Sequence, residues 1–301
     1  MTEVSYNDID YYYSGSVMDF RKRTAASVAL KGETESIISG SDITLSLLSG
    51  IRFDAYSEGF SAFSPVVSVL TTVFGGALAA RLQWAYNFRP PNFSELYYLN
   101  FGNRNLRPEK SDSYNLGITW QHAGFLQISA DAFVIDSRDQ ILSVPVSPVA
   151  WSAVNFAGTL ARGAELTASA GILDNLLNLY INYTYQETTD ESAGNRGAAI
   201  PYVPGEMLSA GAGLRDSAFA AGISAEYTGF RYTLPGNNKA SVLPDYLLIN
   251  LYASCRLTIA GIDIKLRLDA VNIFDVRYQA VKNYPMPGRQ FRLSINGIYE
   301  L

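Results

Sequence analysis

Residues 78–89 read LAARLQWAYNFR and alternate between apolar and mostly polar positions. The even positions are Leu78, Ala80, Leu82, Trp84, Tyr86 and Phe88, and the odd positions include Arg81, Gln83, Asn87 and Arg89. Successive side chains of a β-strand point to opposite faces of its sheet, so this alternation predicts a strand with one apolar face.

The same pattern recurs along the chain, in residues 43–55, 114–121, 126–134, 177–186, 247–257, 262–269 and 291–301. Segments of about 9–12 residues are longer than most soluble strands and match tilted membrane strands. A soluble sandwich turns its apolar face inward, whereas a membrane barrel turns that face to lipid and keeps a polar lumen. Strand length and the charges on the polar face therefore favour an all-β, antiparallel transmembrane β-barrel.

The composition excludes several other classes. The chain has 301 residues, a net charge of -5, one cysteine and one histidine. One cysteine excludes a disulfide framework, one histidine excludes a multi-histidine metal site, and the acidic balance argues against nucleic-acid binding. No catalytic constellation stands out, so we expect a protein that is not an enzyme and has no cofactor or metal.

The connections between the predicted strands alternate between short and long. Short ones lie at residues 74–77, 122–125, 172–176, 215–218 and 260–261, and long ones at 90–110, 137–151, 187–204, 231–245 and 275–289. Short turns on one side and long loops on the other are typical of outer-membrane barrels. This layout predicts about thirteen strands, an odd number where bacterial barrels have even numbers. We therefore expect the chain to lack an N-terminal part, as the absence of a signal-peptide pattern at its start also suggests.

Two longer motifs resemble a known family. From Arg89 the chain reads RPPNFSELYYLNFGNRNLRPEKSDSYNLG, and from Val271 it reads VNIFDVRYQAVKNYPMPGRQFRLSINGIYEL. The first resembles the R-x-P-x-F-x-E-L-Y…G-N-P-x-L-x-P-E-x-S loop of TonB-dependent outer-membrane receptors, with Arg104 at a position where proline is common. The second resembles the closing pattern of that family, with Leu301 in place of the usual final phenylalanine.

The resemblance implies the C-terminal part of a receptor barrel of about 22 strands. Residues 1–20 would be an extracellular loop remnant and residues 21–301 the barrel, with no plug domain or TonB box in the chain. The implied function is TonB-dependent uptake of a scarce nutrient, such as an iron-siderophore or cobalamin, across the outer membrane of a Gram-negative-type bacterium. The implied partners are outer-membrane lipid, the nutrient and the TonB complex, the last through the absent plug. We expect this chain alone not to transport, because Thr24–Lys31 and Phe291–Leu301 would be unpaired edges.

Candidate ligand contacts lie in the long loops. They are Phe93, Tyr97, Tyr98, Arg104, Arg107 and Tyr232. Rigid aromatic side chains give contact area at low entropic cost, and the arginines suit an anionic ligand. Loop packing and an interfacial aromatic girdle explain the aromatic residues equally well.

Two other classes of protein remain open from the sequence. A smaller passive porin or adhesin-like barrel would share the alternation, and an upstream plug-encoding reading frame would argue against it. A soluble β-rich enzyme or carbohydrate-binding protein would differ by being soluble without detergent.

Overall fold

The computed structural model describes residues 2–13, 19–38, 42–147, 150–155, 158–259 and 262–299. The long strands are β1 Thr2–Tyr13, β2 Asp19–Ile37, β3 Thr44–Tyr56, β4 Ser61–Val73, β5 Leu78–Arg89, β6 Glu109–His122, β7 Leu126–Arg138, β10 Gly158–Ile172, β11 Leu177–Asp190, β13 Glu206–Arg215, β14 Phe219–Thr228, β17 Tyr246–Ile259, β18 Ile262–Val271 and β21 Gln290–Tyr299. The short elements are α1 Phe93–Tyr97, β8 Ile141–Ser147, β9 Ala150–Asn155, β12 Ala198–Ala199, β15 Arg231–Tyr232, β16 Val242–Leu243, β19 Gln279–Val281 and β20 Tyr284–Pro285.

The long strands form one sheet. Its hydrogen-bonded order is β1-β2-β3-β4-β5-β6-β7-β10-β11-β13-β14-β17-β18-β21, and β12 adds to β11. The prediction of an all-β, antiparallel protein with strands of membrane length is confirmed. No helix in the described part of the chain is both long and apolar enough to cross a membrane.

Two sequence predictions about the start of the chain are wrong. Thr2–Tyr13 form β1 instead of a loop, in antiparallel register with β2, so the sheet follows a path of fourteen long strands. Thr24–Lys31 are consequently an interior part of the sheet, between β1 and β3. The strand was missed because Asp8 and Asp10 interrupt the alternation, while pairing with β2 needs only backbone groups.

The chain divides into two compact units. The first comprises Met1–Gly117, Phe133–Arg162 and Thr189–Gly197, and the second Ile118–Ala132, Gly163–Thr188 and Ala198–Leu301.

In the first unit, cross-strand register gathers apolar residues on one face. Phe53 lies opposite Phe63, with ring centroids 4.7 Å apart, and Trp84 lies opposite Val67. Neighbouring positions such as Ser68 and Gln83 share the other face. The large side chains on the apolar face, including Phe63 and Leu82, remain exposed.

In the second unit, the register produces the same separation. We call its two sides the apolar face, which carries Ile181, Ile223, Leu251, Leu268 and Leu293, and the polar face, which carries Asn182, Asn250, Ser254, Arg267 and Arg292. The alternation expected in residues 177–186, 247–257, 262–269 and 291–301 agrees with this separation, because a strand register fixes which side chains share a face. Ile223 lies in β14, which the sequence pattern did not single out.

The buried core of the first unit lies in its loops. Leu96, Leu106, Ile141 and Ala153 form a buried cluster against which Tyr97 and Phe101 pack. The predicted long loops also contain regular structure, namely α1 and the hairpins β8–β9, β15–β16 and β19–β20.

Candidate ligand-binding loop

The loop after β5 is held by one guanidinium. Arg89 bonds Glu95 through Nη1 and Nη2, both at 3.1 Å. Its Nε and Nη2 also donate to Glu109, at 2.6 and 2.7 Å. Glu109 in turn accepts the backbone N–H of Ile141 at 2.6 Å. Arg89 thus joins the end of β5 to α1 and to the start of β6 through charge-assisted bonds.

A capping box starts the short helix α1. The Asn92 side chain accepts the Glu95 N–H at 2.8 Å, and the Glu95 carboxylate accepts the Asn92 N–H at 2.7 Å. These two bonds satisfy backbone donors that a helix N-terminus leaves unpaired. Glu95 therefore serves both the helix cap and the Arg89 bridge.

The loop is fastened to the β8–β9 hairpin of the same unit. Ala153 donates its N–H to the Phe101 carbonyl at 3.0 Å, and its own carbonyl accepts the Asn103 side chain at 3.2 Å. Asn155 accepts the Arg107 N–H at 2.7 Å and donates to the Arg107 carbonyl at 2.9 Å. These bonds satisfy backbone N–H and C=O groups of the loop and fix its path along β9.

Gly102 permits the tight turn that follows α1. Its N–H donates to the Tyr98 carbonyl at 2.7 Å, and a Cβ at this position would lie 2.7 Å from the backbone nitrogens of Tyr97 and Tyr98. Only glycine fits so close an approach of two backbone segments.

Three of the predicted contacts lie together on this framework. Tyr98 is 46% exposed and packs edge-on against Phe101, with centroids 6.4 Å apart. The exposed Arg104 guanidinium lies 5.6 Å from the centroid of the Tyr97 ring, within cation–π range. The first unit therefore presents two tyrosines and one exposed cation on a single ordered loop.

Two other predicted contacts, one buried and one exposed, are engaged by structural partners. Phe93 is only 8% exposed, and the Arg23 guanidinium lies 5.0 Å from its ring centroid. Arg107 is paired with Asp139, to which its Nε donates at 2.9 Å. Phe93 thus anchors the loop, and the charge of Arg107 is already balanced.

The structure also shows two loop-holding residues that the sequence reading missed. Arg23 donates to Glu58 at 2.6 Å and to the Pro91 carbonyl at 2.8 Å, and it is almost completely buried. Nothing in the local sequence of Arg23 indicates this role. The Asn92 cap, in contrast, has a readable signal, because Asn92 and Glu95 have the capping-box spacing.

Tyr232 belongs to the second unit. It lies in β15, where its carbonyl accepts the Tyr202 N–H at 2.7 Å and its ring packs edge-on against Phe230. The neighbouring Arg231 is buried, donates to the Gln279 carbonyl at 3.2 Å, and lies 5.2 Å from the Tyr246 ring centroid. Its Nε has no hydrogen-bond partner among the described residues.

The adjoining loop after β18 packs on the same aromatic group. Tyr278 lies with its ring centroid 4.4 Å from that of Tyr246. Burial raises the pKa of the Tyr278 hydroxyl, and Tyr246 and Glu226 act in the same direction. The phenol therefore stays neutral and does not offset the charge of Arg231.

Antiparallel pairing of long strands, exposed apolar side chains on one face of each unit, and connections that alternate between short turns and long ordered loops are typical of transmembrane β-barrel proteins. Residues 2–273 match the family described as TonB dependent receptor-like, beta-barrel. The chain belongs to this family, as the sequence motifs had suggested.

Individual relatives agree with this assignment. The chain is 27% identical over 217 residues to the vitamin B12 transporter BtuB of Vibrio vulnificus (strain YJ016), covering 69% of this chain and 33% of that protein. Two solved structures share the fold. A mutant of the ferric enterobactin receptor PfeA from Pseudomonas aeruginosa has a TM-score of 0.66 and 17% identity, over 99% of this chain and 58% of that one. The siderophore receptor PiuA from Acinetobacter baumannii has a TM-score of 0.68 and 18% identity, over 93% and 44%. The chain spans about a third of the length of the curated relatives that it matches.

Proposed function

We propose that this chain supplies barrel wall and ligand-contacting loops to an outer-membrane receptor that takes up a scarce nutrient, an iron-siderophore or cobalamin, with energy from the TonB complex. The observation that carries the proposal is the ordered loop after β5, which presents Tyr97, Tyr98 and Arg104. Support also comes from membership of the receptor family and from the similarity to vitamin B12 transporters.

The proposed contacts follow from exposure and charge. Tyr98 offers an exposed ring whose neighbour Phe101 limits its rotation, so little entropy is lost when a ligand packs on it. Arg104 supplies a cation for an acidic group of the ligand, such as a siderophore carboxylate or the cobalamin phosphate. Tyr232 is a second proposed contact, in the second unit. Phe93 acts indirectly, by anchoring the loop, and the charge of Arg107 is balanced by Asp139.

The apolar faces suit the proposed location in the outer membrane. Large side chains such as Leu82 in the first unit and Leu293 in the second are exposed on otherwise regular strands. Exposed apolar area of this extent is costly in water and favourable against lipid tails. Outer-membrane lipid is therefore a proposed partner, together with the nutrient and the TonB complex.

Ligand binding can be measured on the purified chain in detergent micelles. Cyanocobalamin and a ferric catecholate siderophore are titrated separately, with tryptophan fluorescence quenching as the signal. We expect one of the two to bind, and Tyr98→Ala with Arg104→Gln to weaken that binding at least about tenfold, since stacked and charged contacts each contribute about 1 kcal/mol or more.

Tyr114→Ala with Arg196→Gln is the matched control. Tyr114 is 51% exposed on β6, and Arg196 is an exposed loop arginine. Equal losses in the two double variants would contradict the proposed contacts. A passive porin is the second candidate function: it predicts steady conductance in planar bilayers and no saturable binding of either probe.

A further inference from the structure

We propose that Trp151, in the β8–β9 hairpin, is a further ligand-contact residue, which binds a flat aromatic group of the nutrient together with Tyr98. This role rests on the proposed function, because Trp151 adds a second ring to the same binding surface. Both residues belong to the first unit, and each side chain is 46% exposed. The loop motif does not single out Trp151, which lies beyond it in the chain.

The hairpin and the loop after β5 run side by side. The Ala153 N–H and the Ser152 hydroxyl both donate to the Phe101 carbonyl, at 3.0 and 3.1 Å. Two residues further along β9, the Asn155 side chain bonds the N–H and the carbonyl of Arg107. The loop and β9 therefore advance in the same direction, so the residues that precede Phe101 lie next to those that precede Ala153.

This direction brings Trp151 to the end of the loop that carries Tyr98. Tyr98 packs edge-on against Phe101, and its carbonyl accepts the Phe101 N–H at 3.1 Å. Trp151 precedes Ala153 by two residues, so both side chains are on one face of the hairpin, with Cα atoms about 7 Å apart. Ala153 is fully buried in the loop core, whereas Trp151 lies beyond this core and stays exposed.

An exposed cation belongs to the same surface. The Asn103 side chain donates to the Ala153 carbonyl at 3.2 Å, so Arg104 directly follows a residue that is fixed to the hairpin. The Arg104 guanidinium lies 5.6 Å from the centroid of the Tyr97 ring. Tryptophan, tyrosine and arginine are the residue types most enriched at binding hot spots. The two joined segments therefore offer rings for stacking and a cation for an acidic group.

A role at the membrane interface does not account for Trp151. The other two tryptophans, Trp84 and Trp120, lie in the long strands β5 and β6 of the main sheet, where an aromatic girdle is expected. The hairpin β8–β9 is a separate two-stranded sheet between the end of β7 at Arg138 and the start of β10 at Gly158. Trp151 therefore lies in the loop region, where a half-exposed indole gains free energy when a ligand ring covers it.

The test measures ligand affinity by equilibrium dialysis of the full chain in detergent, a readout that does not depend on tryptophan. The probes are cyanocobalamin and a ferric catecholate siderophore, which both carry flat aromatic rings, and ferric citrate, an anionic complex without one. For the aromatic probe that binds, Trp151→Leu should weaken binding at least about fivefold, and Trp151→Phe, which keeps a ring, no more than about twofold. Trp120→Leu is the matched control for loss of an exposed tryptophan and should bind as the parent does.

Hydrogen exchange separates ligand contact from structural support. The Ala153 amide, bonded to the Phe101 carbonyl, should exchange at the parent rate in Trp151→Leu, because the hairpin stays joined to the loop. Faster exchange there would assign Trp151 a structural role and overturn the contact, as would ferric citrate binding as tightly as the aromatic probes.

The outcomes also distinguish this role from the proposed function. If Trp151→Leu binds as the parent does while Tyr98→Ala with Arg104→Gln weakens binding, the role of Trp151 is wrong and the proposed function stands. If neither aromatic probe binds the parent chain, the proposed function fails, and the role of Trp151 fails with it.

Discussion

Removal of the Arg89 guanidinium tests whether this group keeps the loop after β5 ordered. Arg89→Met keeps most of the length of the side chain and deletes the guanidinium that bonds Glu95 and Glu109. The two carboxylates are then left close together, with side-chain exposures of only 15% and 20%. We expect α1 and the turn at Gly102 to loosen while the sheet stays folded.

The size of the effect follows from these exposures. Loss of one partner of a fully buried ion pair costs about 3–5 kcal/mol, whereas a surface pair contributes about 0–1 kcal/mol. The Arg89 side chain is 43% exposed, and both carboxylates are largely shielded. We therefore expect the free energy of loop opening to fall by an intermediate amount, about 2 kcal/mol. This corresponds to roughly a 30-fold shift in the local opening equilibrium.

Hydrogen exchange measures this opening directly. The informative amides are those of Asn103, bonded to the Glu95 carbonyl at 2.7 Å, and Ala153, bonded to the Phe101 carbonyl at 3.0 Å. Both should exchange roughly 30-fold faster in Arg89→Met if the loop opens as a unit. Amides within β4 and β5 should not change.

The matched control is Arg107→Met in the same loop. Arg107 also pairs with a carboxylate, Asp139, but its side chain is 67% exposed, so a loss below about 1 kcal/mol is expected. A double-mutant cycle with Glu95→Gln isolates the coupling to Arg89. If Arg89→Met accelerates exchange no more than Arg107→Met does, the guanidinium bridge does not hold the loop.

Three further substitutions test separate contacts. Gly102→Ala should lower the free energy of opening of the same loop by about 1–3 kcal/mol, because its Cβ would lie 2.7 Å from two backbone nitrogens. Faster exchange of the Asn103 amide measures this change, and an unchanged rate would contradict it. Gly222→Ala should lower the thermal stability in detergent by about 1–3 kcal/mol, because its Cβ would lie 2.5 Å from the Tyr252 ring and 2.9 Å from a backbone oxygen. Gly32→Ala, whose nearest contact is at 3.7 Å, is the control, and a similar loss there would refute the steric argument. Arg231→Met should change stability by less than about 1 kcal/mol, since a buried cation that has no carboxylate partner among the described residues is replaced by an apolar group; a large loss would indicate an anionic partner.

The sequence alone determined the secondary structure class and the faces of the strands. Alternation with a period of two can be read from local residue types, so the separation of Trp84 from Arg81 and of Leu268 from Arg267 was predictable. The loop motif could also be read, because Arg89, Glu95 and Gly102 occur at spacings typical of the receptor family. Strand β1 was not predictable from this pattern, since its pairing depends on the backbone of β2 and not on its own side chains.

Only the tertiary structure decided what each loop residue does. Phe93 and Tyr98 are both loop aromatics in the sequence, yet the turn of α1 buries the first under Arg23 and leaves the second 46% exposed. Arg104 and Arg107 are three residues apart, but of the two only Arg107 pairs with a carboxylate of the described residues, Asp139, which lies 32 positions away in the chain. Burial and pairing depend on residues that are distant in the chain. A local sequence pattern therefore identifies the candidate residues, but it cannot distinguish a residue that contacts the ligand from one that holds the loop.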